Sequence, residues 1–138
     1  MSRHNHIAVW VMVFALQGLG MAWYGLFSEP WVAGQGKTME QLQNMEPDPT
    51  PYIFSFICAI LSSYVISWLV IQLNKDTFAK GASLGIILFL GLSGASMALH
   101  YPFLGMSYTV LAIDLGMTLV ATVLTAGVLA AWRKKEKV

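Results

Sequence analysis

Asp114 is an acidic residue inside a long apolar stretch, and it is the residue best placed to do chemistry. A charged side chain near the centre of a membrane helix costs about 2.5–3.5 kcal/mol on insertion scales. Asp114 must therefore face a protein partner or a water-filled cavity. The polar and aromatic groups that could reach it from neighbouring helices define a candidate intramembrane polar site. Its members are Asp114, Tyr24, Trp23, His100, Ser55 and Thr118, and Tyr101 lies beside His100.

These neighbours allow three roles for Asp114. In the first, the carboxylate accepts hydrogen bonds from a Tyr, Ser or His of another helix and is a structural clasp. In the second, it binds a substrate, a proton or an ion. In the third, it contacts another protein molecule. The sequence favours the clasp and leaves the other two roles open.

No pattern in the chain assigns a reaction. The HExxH and P-loop motifs are absent from the sequence. Cys58 is the only cysteine, so an intrachain disulfide and a cysteine zinc cluster are excluded. His4 and His6 lie close together near the N-terminus, and we do not interpret them as a metal site. We therefore predict no catalytic residue, no cofactor and no metal ligand.

Four apolar segments must position the candidate site. The chain is 57% hydrophobic and 11% charged, whereas a soluble domain is about 25% charged. Residues 7–27, 51–73, 81–99 and 107–132 each supply the roughly 20 apolar residues that span a bilayer. We predict an all-α fold with one domain, 1–138, in which four transmembrane helices form an antiparallel bundle. The expected partner is the lipid bilayer, and the net charge of +1 argues against nucleic acid.

The basic residues set the expected orientation. Of the eight Lys and Arg residues, only Lys37 lies in the connection 28–50. Because basic residues favour the cytoplasmic side, we predict a bacterial inner-membrane protein with both termini in the cytoplasm. In the outer connection, Thr38 and Gln41 fit a capping box that predicts a short helix. Trp31 fits an aromatic belt at the outer membrane surface.

Small residues recur every four positions in each apolar segment, as at Gly81 and Gly85. Small side chains let membrane helices approach closely. We call each such row of small residues a stripe. We favour the interpretation that each stripe packs the four helices against one another, and the alternative is that it forms an interface between copies of the chain. Because four helices cannot turn every small face inward, we expect a homo-oligomer or a subunit of a larger membrane complex.

Several short motifs carry a resemblance to a known family: Ala22-Trp-Tyr-Gly25 with Leu26-Phe27 and Trp31, His100-Tyr101, and Ala112-Ile-Asp-Leu-Gly116. On these motifs the chain resembles a bacterial family of small four-helix membrane proteins, domain of unknown function 1761. The resemblance covers roughly residues 7–132. It implies the four-helix fold and draws attention to Trp23, Tyr24 and Asp114, and it implies no activity.

These patterns favour a non-enzymatic inner-membrane protein, either a homo-oligomer or an accessory subunit. The alternative is a small oligomeric transporter or channel that uses Asp114 as its coupling or ion-binding carboxylate. A membrane enzyme that acts on a lipid, with Asp114 and His100 as an acid–base pair, is a further alternative. For that enzyme, the sequence supplies no nucleophile and no basic headgroup-binding cluster on the Asp114 side.

Overall fold

The chain folds into helices joined by short connections. A computed structural model of the chain describes residues 4–134, so that Arg3, Lys135 and Lys137, which contribute to the expected orientation, lie outside the described residues. Four helical stretches are long and apolar enough to cross a membrane, which confirms the predicted all-α class with four long apolar helices. A π-helical turn, Phe89–Ser93, lies within the third stretch. The helices are α1 (His6–Leu26), α2 (Ser28–Gly34), α3 (Met39–Gln43), α4 (Thr50–Gln72), α5 (Phe78–Leu88), α6 (Gly94–Phe103) and α7 (Tyr108–Ala131).

Side-chain hydrogen bonds fix where several helices begin. At the start of α1, Asn5 Oδ1 accepts from the backbone N–H of Ala8 at 3.4 Å. Thr77 and Ser107 cap α5 and α7 in the same way. Each of these oxygens satisfies a backbone N–H that has no partner within its own helix. In α4, Pro51 lies in the first turn instead, where its missing N–H costs nothing.

Two short connections reverse the direction of the chain. Asn74, between α4 and α5, has a φ of 51°, and Gly105, between α6 and α7, has a φ of 68°. Connections this short make successive helices antiparallel. At the first connection, the ammonium group of Lys80, in the first turn of α5, donates to Asp76 Oδ1 at 2.7 Å. This hydrogen bond and the positive charge of Lys80 hold the pKa of the Asp76 carboxyl below its usual range.

The two ends of the group of helices differ in the residues that they bury. We call the end where Asn5 Nδ2 donates to the Trp132 carbonyl oxygen, at 2.7 Å, the terminal end. The end that holds α2 and α3 is the distal end. Side chains from α1, α4, α5 and α7 form an apolar core toward the terminal end, whereas the buried carboxylate of Asp114 lies toward the distal end. The buried members of the core are Ala8, Val9, Met12, Ile66, Val70, Leu84, Ala126, Leu129 and Ala130.

The other long helices pack on α7. This helix contacts α1, α2, α4, α5 and α6, and its contact with α5 is the most extensive. Gly85 allows the close approach of α5, because a Cβ at Gly85 would lie 2.8 Å from both the Thr122 carbonyl oxygen and Val123 Cα. Gly81 meets Ala126 in the same way. The prediction that small residues pack the helices against one another is therefore confirmed for Gly81 and Gly85.

The connection at the distal end contains two short helices, whereas the sequence predicts one. α3 begins at the predicted capping box, in which Thr38 Oγ1 accepts from the Gln41 N–H at 3.2 Å. Gln41 Oε1 accepts in return from the Thr38 N–H at 2.9 Å. The sequence does not predict α2. This helix packs against α7 with Val32 buried, and it thereby fixes the position of Trp31.

Candidate functional site

Asp114 lies in α7, and only 8% of its surface is exposed. Its Oδ1 accepts from the Tyr24 hydroxyl at 2.7 Å and from the Trp31 indole N–H at 3.0 Å. Its Oδ2 accepts from the Tyr101 hydroxyl at 2.9 Å. An ionised carboxylate only accepts hydrogen bonds, so its two oxygens are well matched to three donors. We call these four residues the Asp114 cluster.

Each donor in the Asp114 cluster comes from a different helix. Tyr24 lies in the last turn of α1, Trp31 in α2 and Tyr101 in α6. The carboxylate therefore ties three helices to α7. The Tyr24 and Trp31 rings also meet edge to face, with centroids 5.2 Å apart. An aromatic pair of this kind contributes about 0.5–1.5 kcal/mol beyond the burial of its surface.

The π-helical turn before α6 helps to set the direction of Tyr101. Gly94 follows this turn, and a Cβ at Gly94 would lie 2.9 Å from the Phe89 carbonyl oxygen, so a side chain would not fit. A π turn holds more residues than an α turn, and it rotates all later residues about the helix axis. After this rotation α6 continues past the predicted end at residue 99 to Phe103, and it carries Tyr101 to the carboxylate.

Trp23 lies beside the Asp114 cluster and bonds to the backbone of α7. Its indole N–H donates to the Ile113 carbonyl oxygen at 3.0 Å. Its ring packs on Gly116, where a Cβ would lie 2.7 Å from Trp23 Cζ2. The Phe27 ring lies on another side, with centroids 5.2 Å apart. Trp23 thus aligns α1 with α7 without a hydrogen bond to the carboxylate of Asp114.

Two predicted site residues near Asp114 bond elsewhere. His100 Nδ1 donates to the Ser96 carbonyl oxygen of its own helix at 2.8 Å, so the imidazole is held on α6. Thr118 Oγ1 lies 3.6 Å from Met97 Sδ, and it faces α6 rather than the carboxylate one turn away. The structure therefore brings Tyr24 to Asp114 and does not bring His100 or Thr118 into hydrogen bonds with it.

Trp31 belongs to the Asp114 cluster, although the sequence predicts another role for it. Its place after the first apolar segment is typical of an aromatic belt, and α2, which turns it toward α7, is not predicted. Its presence in the family motif is the one signal that could have marked it. Tyr101 is predicted only as the neighbour of His100. In the structure Tyr101 bonds to Asp114, and His100 bonds to its own helix instead.

All three donors to Asp114 are neutral. Hydrogen bonds to an ionised group contribute about 1.5–3 kcal/mol each, roughly twice as much as neutral ones. They replace part of the hydration that a buried carboxylate loses. Within the Asp114 cluster there is no histidine, cysteine or second carboxylate. In residues 4–134 as a whole, no group of three His, Cys, Asp or Glu side chains is placed to hold a metal ion.

A family model described as a protein of unknown function, DUF1761, matches residues 7–130. The chain belongs to this family. The match includes the four members of the Asp114 cluster and confirms the resemblance that the short motifs indicate. No curated protein and no solved structure matches the chain.

A cavity of about 680 Å³ lies next to the Asp114 cluster of this DUF1761 member. Residues of α1, α2, α4 and α7 line it, and it is partly open to the surroundings. Tyr24 and Trp31 line this cavity and also bond to Asp114. Ser55, a predicted site residue, faces the cavity from α4 and donates to Gln17 Oε1 of α1 at 3.3 Å. The other lining residues are Leu16, Gly20, Met21, Pro51, Tyr52 and Met117.

The N-terminal histidines of this DUF1761 member bond to α4. His4 Nδ1 lies 2.9 Å from Ser67 Oγ, and His6 Nδ1 lies 2.9 Å from the Tyr64 hydroxyl. Tyr64 also contacts both imidazole rings, with centroid separations of 6.1 Å and 5.7 Å. The two histidines therefore fasten the start of α1 to α4 at the terminal end.

Proposed function

We propose that the chain is a non-enzymatic, multi-pass inner-membrane protein in which the Asp114 cluster is a structural clasp. The observation that carries this proposal is the set of three neutral donors, from three helices, on both oxygens of one buried carboxylate. These three hydrogen bonds stabilise the contacts between the helices, because the loss of either partner in a bond leaves the other partner's polar group unpaired. The clasp holds α1, α2 and α6 on α7, away from the main apolar core.

Hydropathy and charge support the membrane location and the orientation in this proposal. The four long helices have mean hydropathies between 1.6 and 2.1. Their outward faces carry large apolar side chains such as Phe14, Leu61 and Leu90, which lipid would cover. Lys75 and Lys80 lie at the terminal end with Arg133 and Lys134, which favours a cytoplasmic position for that end.

An exposed face of small residues on α1 supports association with other membrane proteins. Ala15, Gly18, Ala22 and Gly25 share this face, and all four are exposed. No atom lies within 4 Å of a Cβ added at Gly18 or Gly25, so a helix from another chain has room to approach. We therefore propose that the protein works as a homo-oligomer or as an accessory subunit of a larger membrane complex.

Two substitutions of Asp114 test the clasp. Asp114→Asn keeps Oδ1 as a neutral acceptor for Tyr24 and Trp31 and places an amide NH2 group opposite the Tyr101 hydroxyl. The hydrogen bonds become weaker, but the buried charge is also removed, so the free energy of unfolding should fall by only about 1 kcal/mol. Asp114→Leu leaves all three donors unpaired and should cost about 3 kcal/mol or more. Glu46→Leu, at an exposed carboxylate that makes no hydrogen bond or ion pair among the described residues, controls for the loss of charge.

Unfolding by dodecyl sulfate in mixed micelles measures these differences. If Asp114→Leu is as stable as the wild type, Asp114 is not a clasp. The same measurement, combined with growth complementation, also separates the clasp from a second candidate function.

That second candidate is a small oligomeric transporter with Asp114 as its coupling carboxylate. One observation favours it: Tyr24 and Trp31, which bond to Asp114, also line the open cavity. A coupling role needs the negative charge, so Asp114→Asn would fold like the wild type and fail to support growth. For a clasp, growth instead follows stability in both variants. The position of His100 on α6 gives no support to a lipid-acting enzyme with an acid–base pair.

A further inference from the structure

The cavity beside the Asp114 cluster contains a polar group that the clasp does not use. Gln17 lies near the middle of α1 and lines this cavity. Among the described residues, its side chain has one hydrogen bond, to Ser55 Oγ at 3.3 Å. A primary amide has two N–H donors and a carbonyl acceptor. Whichever way the amide is turned, one of its two ends has no protein partner.

An unpaired amide is unfavourable at this position in α1. If α1 spans the membrane as proposed above, the middle of this helix lies in the hydrocarbon region, where water does not satisfy polar groups. A molecule in the cavity that carries its own hydrogen-bonding oxygen would satisfy the free end of the Gln17 amide. This step rests on the proposed membrane location and is independent of the role of Asp114.

The lining of the cavity indicates the chemistry of that molecule. Its volume of about 680 Å³ falls in the range of small-molecule sites, roughly 300–1,000 Å³. Tyr24, Trp31 and Tyr52 supply aromatic surface, and most other lining side chains are apolar. No Lys, Arg, Asp or Glu is among the lining residues. The carboxylate of Asp114 behind Tyr24 disfavours an anion. A neutral molecule fits this lining.

We infer that the cavity binds a neutral, membrane-soluble molecule whose head carries a carbonyl or hydroxyl oxygen. The Gln17 amide and the Ser55 hydroxyl bond to that oxygen, and the aromatic side chains pack on the head. The apolar tail leaves through the open side of the cavity into lipid. Quinones and diacylglycerols share this chemistry.

Quenching of tryptophan fluorescence by decylubiquinone, with the full chain in lipid nanodiscs, tests this inference. Bound quinone contacts Trp31, so the wild type should show a saturable component of quenching. Gln17→Leu removes one buried hydrogen bond, and the affinity should fall about tenfold. Gln72→Leu is the same change at the terminal end, away from the cavity, and it should bind like the wild type.

Stability distinguishes binding from a structural role for Gln17. Gln17→Leu removes the unpaired end of the amide together with one long hydrogen bond, 3.3 Å, to the Ser55 hydroxyl. These two effects oppose each other, so the stability of this variant should be close to that of the wild type. A structural amide would instead show a loss. Should Gln17→Leu fail to fold, Ser55→Ala is the second variant, with the same expected loss of affinity. Equal affinity in the cavity variants and the wild type overturns the inference.

Dioctanoylglycerol, added as a competitor, distinguishes the two sources of this chemistry. Displacement of the quinone supports a site for neutral glycerolipids as well, and retention supports a site for the planar quinone ring. If neither decylubiquinone nor dioctanoylglycerol binds saturably to the wild type, the inference is overturned. Extraction of membranes with alkaline carbonate tests the membrane location separately, so the failure of one proposal is distinguishable from the failure of the other.

Discussion

Trp31 and Trp23 offer a matched test of whether the carboxylate of Asp114 is ionised. Both indoles are partly buried, and each donates one hydrogen bond of 3.0 Å. Each also has an aromatic neighbour with centroids 5.2 Å apart. They differ in the acceptor, which is Asp114 Oδ1 for Trp31 and the Ile113 carbonyl oxygen for Trp23. Substitution of either residue by Phe removes the same N–H group and the same ring atoms.

The difference between the two acceptors sets the expected magnitude. A hydrogen bond to an ionised group contributes about 1.5–3 kcal/mol, and a neutral one about 0.5–1.5 kcal/mol. Ile113 lies inside α7, so its carbonyl oxygen keeps its helical partner when the Trp23 N–H is removed. We therefore expect Trp31→Phe to lower the free energy of unfolding by about 1–2 kcal/mol more than Trp23→Phe.

Titration with dodecyl sulfate in mixed micelles, followed by circular dichroism, measures both losses. In an Asp114→Asn background the acceptor is neutral, so the additional loss for Trp31→Phe should shrink into the range of a neutral hydrogen bond. Equal losses for the two Phe variants in the native background would refute the reasoning. An additional loss that persists unchanged in the Asp114→Asn background would refute it as well.

Three further predictions concern orientation, association and pH. In a cysteine-free background, Gln43→Cys should react with an impermeant thiol reagent from the periplasm and Lys75→Cys should not; the reverse pattern would invert the orientation. Gly18→Leu should reduce the oligomer fraction in nanodiscs, whereas Gly91→Leu, at an equally open glycine, should not. A monomeric wild type would contradict self-association. Because the pKa of Asp76 is lowered in the folded chain, its contribution to stability is present above the ordinary value of 3.8 and is lost as the pH falls through the lowered one. Asp76→Asn should therefore reduce stability at pH 7 and leave it unchanged in strong acid, as unfolding measured at both pH values would show.

The four long helices could be predicted because length and hydropathy are local properties of the sequence. Asp114 was identifiable because an acidic residue in an apolar helix needs an explanation, and Tyr24 because it lies at a similar depth. α2 was not identifiable, since its seven residues carry too little periodicity to indicate a helix. Without α2, the position of Trp31 at the membrane boundary was enough to explain it, so its hydrogen bond to Asp114 was not predicted.

The directions of side chains late in the third stretch could not be predicted from the sequence. His100 and Tyr101 are adjacent, so they point about 100° apart around the helix axis and cannot both face α7 directly. The π-helical turn upstream helps to decide which one does, because it rotates both residues together. Local composition does not mark this turn, since glycines occur elsewhere in the chain without one. Tertiary packing of α5 and α6 on α7 therefore determines that Tyr101 bonds to the carboxylate.

The central position of α7 has a consequence for the order of assembly during translation. α7 leaves the ribosome after the other long helices, and at about 5–20 residues per second its 24 residues take about 1–5 s to synthesise. During this interval the earlier helices lack their main packing partner, and Tyr24 and Trp31 lack their acceptor. The nascent chain therefore completes its interior in one late step. An insertase or chaperone that shields unpaired helices has those seconds in which to act.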